Sequence, residues 1–229
     1  MTTIADSKER KATRDPKTRP AEIVREYGPS PGADKVNGVS HDGRHVWFAG
    51  GAQLIAFAPG SGEVARTLPR PGDAGTAFDG KHLWQIAEAR IDKIDPDSGD
   101  VLASIPAPGS GSDSGLAWAE GSLWVGQYRE RRIHRIDPAT GAVLRTIETN
   151  RFVTGVTWVD GELWHGTWEG DESDIRRIDP ESGAVLDRLE MPPGTGVSGL
   201  ESDGADLFYA GGGGSGTVRA VRRPGAARS

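Results

Sequence analysis

The chain has 229 residues, enough to bury a substantial core in one large or two small domains. Thirty-three glycines, fifteen prolines and seven tryptophans without a long apolar run favour many short strands joined by tight turns, and exclude a membrane span of roughly 20 apolar residues. No cysteine is present, so disulfides, thiolate metal sites and cysteine nucleophiles are excluded, and a net charge of −6 argues against a nucleic-acid partner.

The chain opens on a basic segment. Residues 1–20 carry Lys8, Arg10, Lys11, Arg14, Lys17 and Arg19 against Asp6, Glu9 and Asp15, which leaves the acidic excess on the rest. With little to bury, residues 1–19 read as a disordered leader, residues 20–224 as the folded domain and 225–229 as a tail. The start lacks the apolar stretch of a secretory signal, so the expected location is cytoplasmic, or secreted if a signal has been removed.

From residue 37 onward one pattern recurs five times: "NGVSHDGRHVWFAGG", "AGTAFDGKHLWQIAE", "SGLAWAEGSLWVGQY", "TGVTWVDGELWHGTW" and "SGLESDGADLFYAGG". The turn glycines Gly43, Gly80, Gly121, Gly161 and Gly204 are 37, 41, 40 and 43 residues apart. A period near 40 with two hairpins per repeat marks propeller blades, each a four-stranded antiparallel sheet. Strand a is the "GLAW" type and strand b the "LWVG" type, joined by a two-residue turn whose glycine supplies positive φ. Strands c and d, "RIHRID" and "AVLRTI", flank "DPATG", "DPDSG" or "DPESG". There Asp caps backbone N–H groups, proline presets φ and glycine turns left-handed, which makes Asp137 and Asp179 turn formers.

The fifth repeat ends after strand c, "TVRAVRR". Its missing strand d matches "AEIVREYGPSPG" near the N-terminus, and borrowing that strand closes the ring and covers a free edge. The expected fold is an all-β, five-bladed propeller closed by residues 21–27.

The words "GLAWAEGSLWV" and "IHRIDPATGAV" resemble, across residues 21–223, two propeller families: the five-bladed glutamine cyclotransferases, which make N-terminal pyroglutamate, and the seven-bladed, magnesium-using streptogramin B lyases. In the cyclotransferase match, Trp168 takes the place of an active-site tryptophan. The essential glutamate falls near Tyr209 or Ala210, and an Asn and Glu fall at Thr154 and Gly155. In the lyase match, a glutamate and a histidine fall at Thr167 and Thr154. Neither donor set is intact. The resemblance implies the fold, and leaves three functions open: a cyclotransferase-like enzyme, a non-catalytic binding propeller, or a lyase or cyclase of specialised metabolism.

The fold also implies an axial funnel on the face that holds the d–a and b–c loops. The b–c loops "GQYRER" and "GTWEGDESD" carry aromatic and charged groups, which leans the site toward blades three and four. His165 is a candidate acid/base, and so is Glu88; Glu201 is the next carboxylate to consider. Trp168 and Tyr128 form a candidate aromatic wall, Gln127, Gln85 and Asn37 supply hydrogen bonds, and Arg151 is placed to meet a ligand carboxylate. The run Glu169, Asp171, Glu172, Asp174 could attract a divalent cation, but lacks the spacing of a calcium loop; "GGGGSG" at 211–216 could offer N–H groups to an anion. The expectation is no metal and no cofactor, a small molecule or peptide as ligand, no membrane partner, and a monomer.

Overall fold

A computed structural model describes residues 15–225. Among these there is no helix, and the strands build five four-stranded antiparallel blades in a ring, one of which carries a fifth strand. Two strands precede the first blade, β1 (Lys17–Pro20) and β2 (Ile23–Tyr27). Blade one is β3 (Val39–His41), β4 (Val46–Ala49), β5 (Leu54–Phe57) and β6 (Val64–Leu68). Blade two is β7 (Thr76–Phe78), β8 (Leu83–Ala87), β9 (Arg90–Ile94) and β10 (Val101–Pro106). Blade three is β11 (Asp113–Ala119), β12 (Ser122–Gln127), β13 (Arg132–Ile136) and β14 (Val143–Glu148). Blade four is β15 (Val156–Val159), β16 (Glu162–Glu169), β17 (Glu172–Ile178) and β18 (Val185–Glu190). Blade five is β19 (Leu200–Ser202), β20 (Leu207–Gly211), β21 (Val218–Arg222) and, from the other end of the chain, β2.

The hairpin chemistry read from the repeats is realised. Asp137 Oδ1 accepts the N–H groups of Ala139 and Thr140 at 2.8 and 2.9 Å, and Gly141 has a φ of 76°. Asp95 and Asp179 do the same in their blades. In the a–b turns of blades three and four both central residues are left-handed, Glu120–Gly121 and Asp160–Gly161, the twist that matches two flanking strands.

Closure by β2 stands as expected: Ile23 lies opposite Val221 and Tyr27 opposite Val218. The leader differs. Residues 1–14 and 226–229 lie outside the described residues, but Lys17 to Arg19, read as the end of the leader, form β1 with Pro20 and pair in parallel with the outer edge of blade four. The reason is local: Arg19 reaches Asp187 at 2.6 Å while the backbone satisfies an otherwise open edge.

Apolar burial is divided among five clusters, one per seam between blades. Aromatic pairs bridge four seams: Trp84 on Trp118, Trp124 on Trp158, Trp164 against Phe208 and Tyr27 against Phe57, with centroids 6.0, 5.1, 5.0 and 4.6 Å apart. At the axis stand Gly38, Gly75, Gly115, Gly155 and Gly199, each at the head of strand a. A Cβ added to any of them would lie 2.3–2.7 Å from the backbone of the next blade, so only glycine lets five strands meet this closely.

Candidate functional site

The residue before each axial glycine forms a collar of Asn37, Ala74, Ser114, Thr154 and Ser198. All five border a depression of about 320 Å³ at the mouth of the axis. Neighbouring blades are laced together there: Ser114 Oγ donates to Val153 O at 2.6 Å, Ser198 Oγ donates to Val36 O, and Asn37 Nδ2 donates to Gly72 O at 2.9 Å. Thr154 Oγ1 is the exception, buried at the collar with no hydrogen-bond partner.

Two carboxylates sit one residue further out, Asp73 in blade two and Asp113 in blade three. Asp73 Oδ2 accepts the Glu88 N–H at 3.0 Å. Both oxygens of Asp113 accept the Gly109 N–H at 3.0 Å, and the Gln127 side chain also donates to it. Burial outweighs these donors and raises the Asp113 carboxyl above the usual carboxylate range.

Tyr128 and Trp168, at equivalent ends of the two b strands, also line the depression. Tyr128 packs on Phe152 with centroids 4.6 Å apart and donates its hydroxyl to Trp168 O at 3.0 Å. Trp168 donates Nε1 to Gly170 O at 3.0 Å, and its ring rests on Gly196 and Gly213, where any Cβ would intrude to about 2.6 Å. Among the lining residues there is no lysine, arginine or histidine. The lining combines two carboxylates with two aromatic side chains.

The residues nominated from sequence divide accordingly. Asn37, Tyr128 and Trp168 line the depression, and Gln127 stands behind it as a donor to Asp113. Gln85 is fully buried beneath the collar, donating to Ala74 O and Ile86 O and accepting from Thr76, with no polar atom left for a ligand. Glu88 is exposed at the tip of the β8–β9 hairpin, with a φ of 55°, and pairs with Arg90 at 3.0 Å. Arg151 is held by Glu169 and Glu172 at 3.5 and 3.3 Å rather than free for a ligand carboxylate.

His165 is wholly buried in blade four, its Nδ1 3.1 Å from Gly166 O and its Nε2 without a partner. Burial depresses its pKa to about 4, so it is neutral at physiological pH and closed to solvent. It does not line the funnel.

Three of the four acids in the blade-four run are paired with arginines. Glu169 and Glu172 hold Arg151, while Asp174 is buried between Arg176 and Arg188, each at 2.7 Å. Among the described residues no cluster of His, Cys, Asp or Glu is arranged to hold a metal ion. In the 211–216 loop, Gly212, Gly213 and Gly216 spend their N–H groups on Thr217 O, Ser198 Oγ and Gly213 O, so no free anion cradle is formed.

Sequence reasoning missed Asp73 and Asp113. Both stand two residues before an axial glycine, where the other blades carry Val36, Val153 and Val197; that substitution of valine by acid was the available signal.

Fold and geometry together define a five-bladed propeller with a depression at the mouth of its axis, lined by acidic and aromatic side chains. No protein-family model matches the chain, and no curated protein matches it in sequence. Among solved structures, the glutaminyl cyclase of Myxococcus xanthus superposes with a TM-score of 0.72 at 17% identity, covering 91% of this chain and 98% of that one. Virginiamycin B lyase from Staphylococcus aureus gives 0.50 at 16% identity over 87% of this chain and 70% of that one. The propeller domain of Myceliophteria thermophila Cps50 (Swd1) gives 0.56 at 10% identity over 89% of this chain and all of that one. These likenesses show the shared fold.

Proposed function

We propose that the protein binds a small molecule or peptide N-terminus in the axial funnel, through a protonated amine and an adjoining apolar group. One observation carries this reading: Asp73 and Asp113 face a depression that Tyr128 and Trp168 wall and that contains no cationic side chain. An ammonium group finds both carboxylates and aromatic rings in that lining, a combination that favours cations over anions. Thr154 Oγ1, buried and unpartnered at the collar, gains a hydrogen bond when a polar ligand atom descends to it.

A second reading, a glutamine-cyclotransferase-like enzyme, has two supports. One is the extent of the superposition on a glutaminyl cyclase. The other is the raised pKa of Asp113, which lets a carboxyl group hold and release a proton. In that reaction the α-amine nitrogen of an N-terminal glutamine attacks its side-chain amide carbon. Asp113 delivers a proton to the departing nitrogen, which leaves as ammonia, and recovers one from the attacking nitrogen, which becomes the lactam N–H.

Calorimetric titration with phenylethylamine and with glutaminyl-phenylalanine amide, each beside its N-acetylated form, tests the first reading; ammonia release tests the second. Binding of the free amines alone supports an amine site. Equal binding of the acetylated forms, or no binding of either, overturns it. Ammonia release above the uncatalysed rate that is lost in Asp113→Asn makes the protein an enzyme.

A further inference from the structure

The strand-b tryptophans of blades two and four are held in the same way. In blade two, Asp79 of the a–b turn accepts Trp84 Nε1 at 2.9 Å. Lys93, opposite Trp84 on β9, places Nζ 5.1 Å from the indole centroid and 3.6 Å from the same Asp79 oxygen. In blade four, Glu162 accepts Trp164 Nε1 at 3.2 Å and pairs with Arg177, which lies opposite Trp164 on β17. Each indole belongs to a triad of acid, indole and strand-c cation.

Blade one has two members of the triad. Asp42 Oδ2 accepts Trp47 Nε1 at 2.7 Å, and Oδ1 accepts the N–H groups of Arg44 and His45, as Asp79 does with Lys81 and His82. Opposite Trp47 on β5, however, stands Ala56. A cavity of about 330 Å³ lies at this incomplete triad, lined by Asp42, Trp47 and, from blade two, Phe78. Phe78 takes the place that Trp118 holds in the next seam, where the larger ring stacks on Trp84. The seam between blades one and two thus lacks an aminoalkyl chain and part of a ring.

We propose that this cavity is a second binding site, for a primary ammonium group on a short alkyl chain, which takes the place of the missing strand-c lysine. The ammonium pairs with Asp42 and faces the Trp47 ring, as Lys93 does with Asp79 and Trp84. Burial disfavours the charged Asp42 carboxylate, but donors from His45 N, Trp47 Nε1 and Arg44 N outweigh it and hold the carboxyl below the usual range. Asp42 is therefore charged at neutral pH, and its one ion-pair contact among the described residues is His45.

The basic side chains already at the cavity do not fill this place. His45 Nδ1 lies 3.4 Å from Asp42 Oδ2, but His82 makes the same contact with Asp79 at 3.3 Å beside Lys93. Arg66 donates to Pro96 O and Asp97 O at 2.9 and 2.7 Å and pairs with the Asp97 carboxylate at 3.2 Å. That bridge to the next blade is independent of the triad. In blade three, Arg145 bridges to Glu181 while Arg135 still lies over Trp124, 5.8 Å from its centroid. Arg44 is exposed and makes no ion pair among the described residues, which leaves Asp42 to an incoming cation.

The test follows the Trp47 indole N–H by heteronuclear NMR, assigned with Trp47→Phe, during titration with n-butylammonium chloride; n-butanol and sodium chloride are the controls. The ammonium is expected to move this resonance saturably, and the controls to leave it in place. Ala56→Lys completes the triad, so it abolishes the response and raises the melting temperature by a few degrees. Asp42→Asn keeps an oxygen for the turn and weakens the response several-fold, and it decides the matter if Ala56→Lys does not fold. Nα-acetyl-lysine amide is titrated in parallel. A response equal to that of n-butylammonium identifies a partner's lysine side chain as the ligand and a response to n-butylammonium alone a free amine; both support the site. The Trp168 indole N–H reports on the funnel in the same spectra, and its response to phenylethylamine is unchanged in Ala56→Lys, so the two sites stand or fail separately. No saturable shift at Trp47, an equal shift with n-butanol, or an undiminished response in Asp42→Asn or in folded Ala56→Lys overturns the proposal.

Discussion

Glu201 is half-buried on β19 of blade five and His165 wholly buried on β16 of blade four, and desolvation moves them in opposite directions. Glu201 is pushed up to about 7 and His165 down to about 4. Between about pH 4.5 and 7 the folded state holds a proton on Glu201 that the unfolded chain has released, so this contribution is full at low pH and is lost as pH rises. Between about 6.5 and 4 the unfolded chain protonates His165 and the folded state does not, so that contribution is full at neutral pH and is lost as pH falls. The two slopes oppose each other in the wild type. Denaturant melts from pH 4 to 8 should show Glu201→Gln gaining stability with rising pH more steeply than wild type, and His165→Gln less steeply; superimposable profiles would contradict the assignment. Strand alternation told which residues share a face with His165, but not that the next blade covers that face. Trp168 and Tyr128 were legible because aromatics at equivalent strand ends stand out, whereas Asp113 was hidden in a loop that reads as a glycine- and serine-rich turn.

At the scale of the element, the closing strand was legible and the one before it was not. β2 repeats the alternation of every other outer strand, with Ile23 and Tyr27 turned inward. β1 reads "KTRP", without β-branched density or apolar alternation beyond one threonine, and exists because an open edge and Asp187 await it. A nested series of truncations separates the two. A chain starting at residue 15 should melt with the full-length protein, and one starting at residue 21 should lose a small increment with β1. A chain starting at residue 28 loses strand d of blade five, with Ile23 and Tyr27 of two seams, and should lose cooperative folding. Equal melting temperatures for the chains starting at 21 and 28 would refute closure by β2.

At the scale of the whole molecule, the glycine ring sets the geometry of both ends of the axis. Gly155→Ala places a methyl group 2.3 Å from Leu200 N, against backbone that cannot yield without moving a blade. Gly214 has open space around the same atom and serves as the control. Overpacking typically costs about 1–3 kcal/mol and sometimes more; Gly155→Ala should reach or exceed this, with Gly214→Ala close to wild type in a chemical melt. The repeat period made the number of blades readable, since each copy must hide its faces against the next. It carried no information on which ligand the collar accepts, because that depends on side chains set outside the shared turn and packing words.

The funnel as an amine site is tested most directly through Trp168, whose ring is half-exposed on a shelf of two glycines rather than enclosed in a seam. Phenylethylamine is titrated calorimetrically into the wild type, Trp168→Ala and Asp113→Asn, with a thermal melt of each protein alongside. Trp168→Ala is expected to lose at least tenfold in affinity, about 1.4 kcal/mol, with only a modest fall in melting temperature, and Asp113→Asn to lose a comparable amount. Severe destabilisation of Trp168→Ala with unchanged affinity in its folded fraction would place the tryptophan in the structural core and contradict the funnel site.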